Sequence, residues 1–405
     1  MKHSSIVPLI GGELFGSMLA LKGYDLVEFP LKENNFIDEF PEELLSFSPF
    51  KANESHLISY LRKKGWAKDY VILDEKTSHR PKTVDVVSTV CPCAGLSSLS
   101  RTSSSEAAIN DWMYKTAEFV LENIQPQVFW GENAPALATK KGKAVVDKLK
   151  VIAKKNDYTL GLVKTKNSLH GIPQKRSRSF YIFVKEKDAF PMFSFKTREE
   201  TLSEKVLSLP RDLNDPMQKT ILNKNLYENE FFQICLEITQ SQNSAELSKH
   251  FVVTQNLFRF LVENISSEQL EEIRYETAKK KLLYAKEKVA SGKNFWAHGI
   301  ALLKGVIPAL VANIPTEGIN YHHDDFITAR ESLRLMGMPD DFYLIHNLKT
   351  SINHVCQNVP VFTARDICSQ IRNYLDGKIP LCNTTEIPIY EIRKEKSNLA
   401  AFLVD

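Results

Sequence analysis

Apolar residues in the first 190 positions fall into short runs separated by longer stretches of helical periodicity. Runs of five to eight residues at 4–10, 24–29, 70–74, 84–90, 126–133 and 179–184 read as strands. Stretches at 18–23, 42–65, 107–124 and 140–156 repeat their apolar positions every three to four residues. This alternation predicts βαβ units, and therefore an α/β fold built on a mostly parallel sheet.

The pattern changes at about residue 191. Strand candidates thin out from 191 to 322, and two amphipathic stretches, at 201–216 and 266–292, predict helices. Two well-marked helices then follow, at 327–339 and 361–377, each entered through a threonine and closed near a glycine. The last 28 residues contain the strand-like IPIYEI, which the pattern alone does not place.

Composition limits the class of protein without naming it. The chain has 405 residues, 43% of them hydrophobic, which is enough for one large and one smaller domain. The N-terminus has no long apolar run and no A-x-A-like cleavage site, so we expect neither a signal peptide nor a membrane span. Six cysteines without paired spacing favour a reducing, cytoplasmic compartment.

A net charge of +3 says little about partners, but two local clusters do. Residues 164–178 hold five Lys or Arg and no acid, directly before a predicted strand. Residues 274–293 hold seven basic residues against two acids, which fits either a solvated helix face or a nucleic-acid contact.

The stretch STVCPCAGLSSLS, residues 88–100, places Cys91 and Cys93 at the end of a predicted strand. Two packed cysteines, half of a metal site and an active-site nucleophile are the three interpretations. The metal site is disfavoured because no matching Cys or His pair follows. A cysteine at a strand end before a Ser/Gly loop is accessible to a substrate, which favours the nucleophile.

Two further stretches deliver polar side chains to neighbouring strand ends. VFWGENAPAL carries Glu132, a candidate proton donor, at the end of its strand. HGIPQKRSRSFYIFV carries Gln174, Arg176 and Arg178 at alternate positions, so an extended chain directs them to one face. Cysteine, glutamate and paired arginines would suit covalent chemistry on an electron-poor ring.

Five stretches in order give the chain a specific resemblance. CPCAGLS, GENAP, HGIPQKRSR, TARESLRLMGMPDDF and QNVPVFTARDI are similar to successive motifs of the DNA cytosine-5 methyltransferases. The resemblance implies a Rossmann-like catalytic domain with a smaller inserted target-recognition domain. Its expected parts are a catalytic domain at 1–190, a target-recognition region at 191–322, a return to the catalytic domain at 323–376 and a C-terminal tail at 377–405.

The resemblance also implies a mechanism. Cys93 would add to C6 of a cytosine turned out of the duplex, with Cys91 as a packed bystander. Glu132 would hydrogen-bond to or protonate N3, and Arg178, with Arg176, would hold the ring carbonyl and keep Glu132 in place. The methyl donor would be S-adenosylmethionine. The expected cofactor-binding residues are Gly11, Gly12, Gly16, Glu28, Asp74 and Asn358.

The expected partner is double-stranded DNA, and a cognate restriction endonuclease that acts separately is compatible with this. The protein is expected to be a monomer that associates with the nucleoid and makes no contact with a membrane. The expected DNA-binding residues are Ser97, Arg101, Gln174, Lys279, Lys280, Lys281 and Lys288. An RNA cytosine methyltransferase and a DNA-binding module that has lost catalysis are the alternatives. The departures from the family pattern concentrate in the first motif, where Glu13 stands in the glycine turn and the leading Asp is missing.

Overall fold

The computed structural model describes residues 2–6, 10–21, 25–26, 84–91, 95–97, 104–218, 225–295, 297, 300–310, 317–344, 354–394 and 400–402. The strands in these ranges are β1 Lys2–Ile6, β2 Asp25–Leu26, β3 Val86–Val90, β4 Val128–Asn133, β5 Thr159–Lys166, β6 Ser177–Val184, β7 Ala189–Pro191, β8 Gln255–Asn256, β9 Ala301–Leu302, β10 Gly318–Asn320, β11 Asp325–Phe326, β12 Leu381–Asn383, β13 Pro388–Glu391 and β14 Ala400–Phe402. The α-helices are α1 Gly12–Ala20, α2 Asp111–Phe119, α3 Lys143–Lys155, α4 Glu204–Leu207, α5 Glu230–Thr239, α6 Ser244–Leu247, α7 Leu257–Asn264, α8 Ser267–Glu272, α9 Glu276–Ala290, α10 Ala329–Leu335 and α11 Val361–Leu375.

The main sheet of the described chain runs in the order β14-β13-β5-β6-β4-β3-β1-β2. Neighbouring strands from β2 to β4 are parallel, whereas β6 is antiparallel to both β4 and β5. The predicted α/β fold with a mostly parallel sheet is therefore confirmed. Strand 70–74 lies outside the described residues.

β5 was not predicted as a strand. Its sequence, TLGLVKTK, contains a glycine and ends in two lysines, features that weaken a strand pattern. It is nevertheless a central strand because its first five residues are buried between β6 and β13.

The helices beside the sheet follow the predicted periodicity. α3 buries one apolar stripe and leaves its lysines outside, as expected for an amphipathic surface helix. α2 continues into a π-helical turn over Val120–Ile124. The helix predictions are less accurate between residues 191 and 322. The helix predicted at 201–216 is reduced to α4, and the one predicted at 266–292 is divided into α8 and α9, separated by residues 273–275.

The two predicted helices of the returning chain are present. α10 begins with a capping box in which Thr328 and Glu331 bond to each other's backbone N–H, and Gly337 follows it at a φ of 75°. α11 starts after Pro360, earlier than the predicted threonine, and packs along α1.

The described residues form three hydrophobic cores. The first surrounds the main sheet, and the third is built only from residues between Leu226 and Phe326. The second core joins α1, α10 and the residues around 303–310. A segment of the 191–322 region thus packs directly on the part of the chain that carries the first motif.

The C-terminal stretch is part of the main sheet. β13 lies within the strand-like stretch IPIYEI and runs parallel to β5, with Ile389 opposite Leu162. β14 pairs with β13, and β12 pairs with β7 in a separate two-stranded sheet. Within the described part of the chain, no helix combines the length and the apolar character that crossing a membrane requires.

Candidate active site

Three strands bring the candidate catalytic stretches to one edge of the sheet. β3 and β4 are parallel, with Val90 opposite Glu132, so both end at this edge. β6 is antiparallel to β4 and begins there, with Ser179 opposite Asn133. The stretch after β3, Glu132 and Arg178 are neighbours because of this register. In open α/β sheets, ligands bind beyond the carboxyl ends of the parallel strands.

Glu132 and Arg178 form an ion pair at this edge. The Arg178 Nε contacts Glu132 Oε1, and the Glu132 side chain is 2% exposed while that of Arg178 is 18% exposed. Arg178 also donates from Nη1 to the carbonyl of Ser177, 2.8 Å away. The guanidinium fixes the orientation of the Glu132 carboxyl. Because the carboxyl is shielded from water, it interacts strongly with a polar group of a bound ligand. The predicted contact between these residues is present, and their catalytic roles stay predictions.

Cys91 is a packed residue beside this pair. Its Sγ lies 3.3 Å from the Tyr181 hydroxyl and 3.8 Å from Thr89 Oγ1, and its side chain is buried. Burial raises the pKa of the Cys91 thiol to about 11, so it remains protonated at neutral pH. This agrees with its expected place as a bystander. Cys93, the expected nucleophile, lies outside the described residues.

Arg176 contacts the returning part of the chain. The residue is 3% exposed, and Nη1 donates to the backbone carbonyl of Cys356. Arg176 thereby joins the start of β6 to the segment that carries Asn358, and its contact with a substrate carbonyl stays a prediction.

Gln174 is wholly buried, which argues against the predicted contact with DNA. Its Nε2 donates to the carbonyl of Leu335 at 2.7 Å, and its Oε1 accepts from the N–H of Leu310 at 3.3 Å. The side chain is 0% exposed because the segments around 307 and 335 cover it. The predicted alternation was correct in placing Gln174 and Arg176 on one face, but that face is the interior.

The turn after β1 was expected to approach the cofactor through three glycines. Gly11 has a φ of 92°, a left-handed conformation that favours glycine, and it precedes α1. Gly12 and Gly16, however, face the C-terminal segment: a Cβ on Gly12 would meet Asn358 and Val359, and one on Gly16 would meet α11. Their missing side chains allow α1 to pack closely on α11 and the segment before it, and their contact with a cofactor stays a prediction.

Asn358 connects the returning segment to the start of α1. Its Oδ1 accepts from the N–H of Gly12 at 2.9 Å, and its Nδ2 donates to the Met338 sulfur at 3.4 Å. The returning segment is thereby fixed to the first residue of α1. Its role toward a cofactor stays a prediction.

Glu13, the departure in the glycine turn, points inward. Its Oε2 accepts from Ser5 Oγ at 2.8 Å, and its Oε1 lies 3.9 Å from His3 Nε2, which also bonds to Ser88 Oγ at 2.8 Å. Burial raises the pKa of Glu13 to about 7 and lowers that of His3 to about 3. The carboxyl thus faces the interior and not the outer side of the turn.

The remaining predicted residues fall into two groups. Glu28, Asp74 and Arg101 lie outside the described residues, and Ser97 is half-buried. On α9, Lys279 donates to Glu271 Oε2 at 2.9 Å and is 16% exposed, so its charge is already paired. Lys280 and Lys281 are exposed, and Lys288 lies 5.1 Å over the Tyr284 ring. The described residues contain no cluster of three or more metal-ligating side chains.

The sequence profile of the C-5 cytosine-specific DNA methylases matches residues 54–373, which is most of the chain. The chain belongs to this family.

Solved structures of family-like proteins cover nearly the whole chain at low identity. A protein described as a DNA modification methyltransferase encoded within a prophage (E. coli) is 19% identical, with 93% of this chain and 99% of that chain covered and a TM-score of 0.49. The Entamoeba histolytica methyltransferase EhMeth is 10% identical over 93% and 98%, with a TM-score of 0.50. Spodoptera frugiperda DNMT2 is 13% identical over 92% and 99%, with a TM-score of 0.44. At these identities the likeness concerns the fold alone, and no curated protein matches the chain.

Family membership makes the chain a cytosine-5 methyltransferase, an enzyme of a family that transfers methyl groups to cytosine. The turn at Gly11 fits a bound methyl donor. Gly11 lies after β1, beside β3, and adds no side chain to the turn. The acid of the turn, Glu13, is directed into the interior.

Proposed function

We propose that the chain transfers a methyl group from S-adenosylmethionine to C5 of a cytosine in double-stranded DNA, through a covalent adduct with Cys93. We further propose that it modifies a specific DNA sequence. The observation that carries the proposal is the Glu132–Arg178 ion pair at the sheet edge where β3 ends, next to Cys91.

Cys93 starts the chemistry in this proposal. Its thiolate forms a bond to C6, and the electron pair of the C5–C6 double bond moves into the ring toward N3. Glu132 meets the charge developing at N3 with a hydrogen bond or a proton, so that the ring does not carry a full negative charge. C5 becomes nucleophilic and takes the methyl group, which the sulfonium donor supplies when bound. Loss of the C5 proton to a base then restores the double bond and releases the Cys93 thiolate.

Arg178 has two tasks in this scheme. Its Nε contacts Glu132, and its side chain remains partly exposed, whereas Arg176 is buried. A planar guanidinium can bond to a pyrimidine carbonyl while it keeps its carboxylate partner. The pair therefore fixes both the acid and one edge of the base.

Bisulfite sequencing of DNA from cells that express the chain tests the reaction, the base and the sequence context together. We expect protected cytosines in one recurring context with the wild-type chain and none with Cys93→Ser. Protection found in cellular RNA but not in DNA would replace the DNA substrate with RNA. Folded protein without protection in either would support the catalytically lapsed alternative.

A duplex with 5-fluorocytosine at the identified position tests the covalent step. Fluorine cannot leave C5 as a proton does, so the wild-type chain should remain attached to the duplex in a denaturing gel. Cys91→Ser is the matched control and should trap the duplex as well, because Cys91 is packed against Tyr181. Attachment by the Cys93→Ser variant would contradict the assignment of the nucleophile.

A further inference from the structure

A third basic surface lies on α3, apart from the two clusters described above. Residues 140–155 contain seven lysines and a single acid, Asp147. Three of the lysines, Lys140, Lys141 and Lys143, precede or open the helix, and all three are exposed. We call these three residues the lysine turn. The catalytic motifs make no use of them.

Chain topology places the lysine turn at the edge of the sheet that carries Glu132. β4 ends at Asn133, and α3 leads from there back to β5, which runs parallel to β4 because both are antiparallel to β6. A helix that joins two parallel strands begins at the edge where the first strand ends. α3 spans 13 residues, or about 20 Å, so its last lysines lie near the opposite edge.

Short-range packing fixes the lysine turn to the active-site residues. Between Asn133 and the turn lies a 3-10 turn, Pro135–Ala138, whose first carbonyl accepts from Ser179 Oγ at 3.2 Å, next to Arg178. Gly142 sits against this turn so closely that a Cβ would lie 2.6 Å from the Ala136 carbonyl oxygen and the Leu137 Cα. The ammonium groups therefore project from a braced backbone and not from a free loop.

The charges along α3 have different surroundings at its two ends. At the far end, Lys155 donates to Glu122 Oε1 at 2.7 Å, and Lys148 lies 4.9 Å over the Tyr114 ring. At the near end, the first turn of the helix holds no acid, and Lys143 Nζ lies 3.7 Å from Asp147 Oδ2. Positive charge at the start of a helix opposes the helix dipole, by about 0.3–1 kcal/mol for each group. The helix dipole therefore does not stabilise the lysines of this turn, whereas a polyanion next to them would.

We propose that the lysine turn binds backbone phosphates of the nucleic acid beside the target cytosine. The inference rests on the proposed function, and it adds a contact surface on the catalytic side of the molecule to the one expected on α9. Phosphate contacts position a nucleic acid without reading its sequence. The braced turn would thus hold the strand in register with the pocket formed at Glu132.

Salt dependence of binding tests the proposal. The variant K140Q/K141Q/K143Q is compared with K148Q/K150Q/K154Q, which removes the same charge from the far part of the same helix. The probe is a 30-base-pair duplex of mixed sequence, with an RNA duplex of equal length in parallel. For the near-end variant we expect the slope of log K against log salt to fall by about two to three units on DNA, since each phosphate contact contributes about 0.9. The far-end variant should change it by less than about one unit.

K140R/K141R/K143R keeps the charge and should keep the wild-type slope. Equal slopes for wild type and the near-end variant on both nucleic acids, or equal losses at both ends of α3, would overturn the proposal. A loss confined to the RNA duplex would support the surface while removing DNA from the proposed function.

Discussion

Replacing Gly16 by alanine should destabilise the protein more than it weakens cofactor binding. Gly16 lies in the middle of α1, and the added Cβ would be 2.5 Å from the Ala364 Cβ and 2.7 Å from the Arg365 backbone nitrogen, and closer still to the Val361 carbonyl. Two of these three atoms belong to the backbone of α11 and cannot rotate away. The helices must therefore move apart.

The size of the effect follows from two opposing contributions. Overpacking of a tight contact costs about 1–3 kcal/mol, and backbone contacts place this one at the upper end. Alanine in place of glycine in a helix interior returns about 1 kcal/mol. We expect the free energy of unfolding to fall by about 2 kcal/mol.

Urea unfolding measures the stability, and calorimetry with S-adenosylmethionine at a temperature where both proteins are folded measures the affinity. The affinity should fall by less than about tenfold. Leu19→Ala changes an exposed side chain on the same helix and should shift stability by no more than about 0.5 kcal/mol. Unchanged stability together with lost binding would show that Gly16 faces the cofactor, and the packing argument would be refuted.

Three further predictions concern other parts of the site. Glu132→Gln should slow single-turnover methyl transfer by about 10²–10⁴-fold with little change in DNA affinity, because an amide cannot supply a proton to N3; Arg178→Ala should slow it similarly, and near-normal rates in either would contradict the roles. Glu13→Gln should gain stability over wild type as pH rises from 5 to 8, by at most about 3 kcal/mol, measured by urea unfolding at each pH. The pKa of Glu13 is about 7 in the folded protein, so in this range the native state holds a proton that the unfolded state has lost. The free energy of unfolding of wild type therefore falls as pH rises through this window. A constant difference would contradict this. On α9, neutralising Lys280 and Lys281 should lower the salt slope of DNA binding by up to about two units, whereas Lys279→Gln should leave it nearly unchanged because that lysine is paired; the reverse order would contradict the reasoning.

The Glu132–Arg178 contact could be predicted because it depends on strand ends, which the sequence marks well. VFW and FYIFV are continuous apolar runs, and polar residues within two positions of such a run lie at a sheet edge. Glu132 follows the first run, and Arg178 precedes the second. The assignment of Cys91 as the packed residue came from the family resemblance, because both cysteines follow the same apolar run.

The glycines of the first motif could not be interpreted in this way. A glycine at the start of α1 has the same sequence signature whether a cofactor or another helix occupies the space of its missing side chain. Here, the deciding neighbour is Asn358, which is 346 positions away. Local pattern carries no information about a contact of that range.

The alternate spacing of Gln174 and Arg176 predicted that their side chains share a face. It did not predict which residues bury that face. Leu335 and Cys356 supply the cover, and they come from the returning chain. The helical periodicity of 140–156 was predicted, but its charge asymmetry has meaning only once the direction of α3 relative to β4 is known.

The late position of β13 in the chain has a consequence for synthesis. β5 pairs with β13, which follows it by more than 200 residues. At about 5–20 residues per second, the outer edge of β5 waits on the order of ten to forty seconds for its partner.

An unpaired central strand is a site for aggregation, and charged side chains on such an edge reduce the hazard. Lys164 and Lys166 occupy the end of β5, and Lys164 gains its partner, Glu391 at 3.6 Å, only when β13 arrives. The two lysines that weaken the strand pattern would then be protecting the nascent sheet until the last part of the chain completes it.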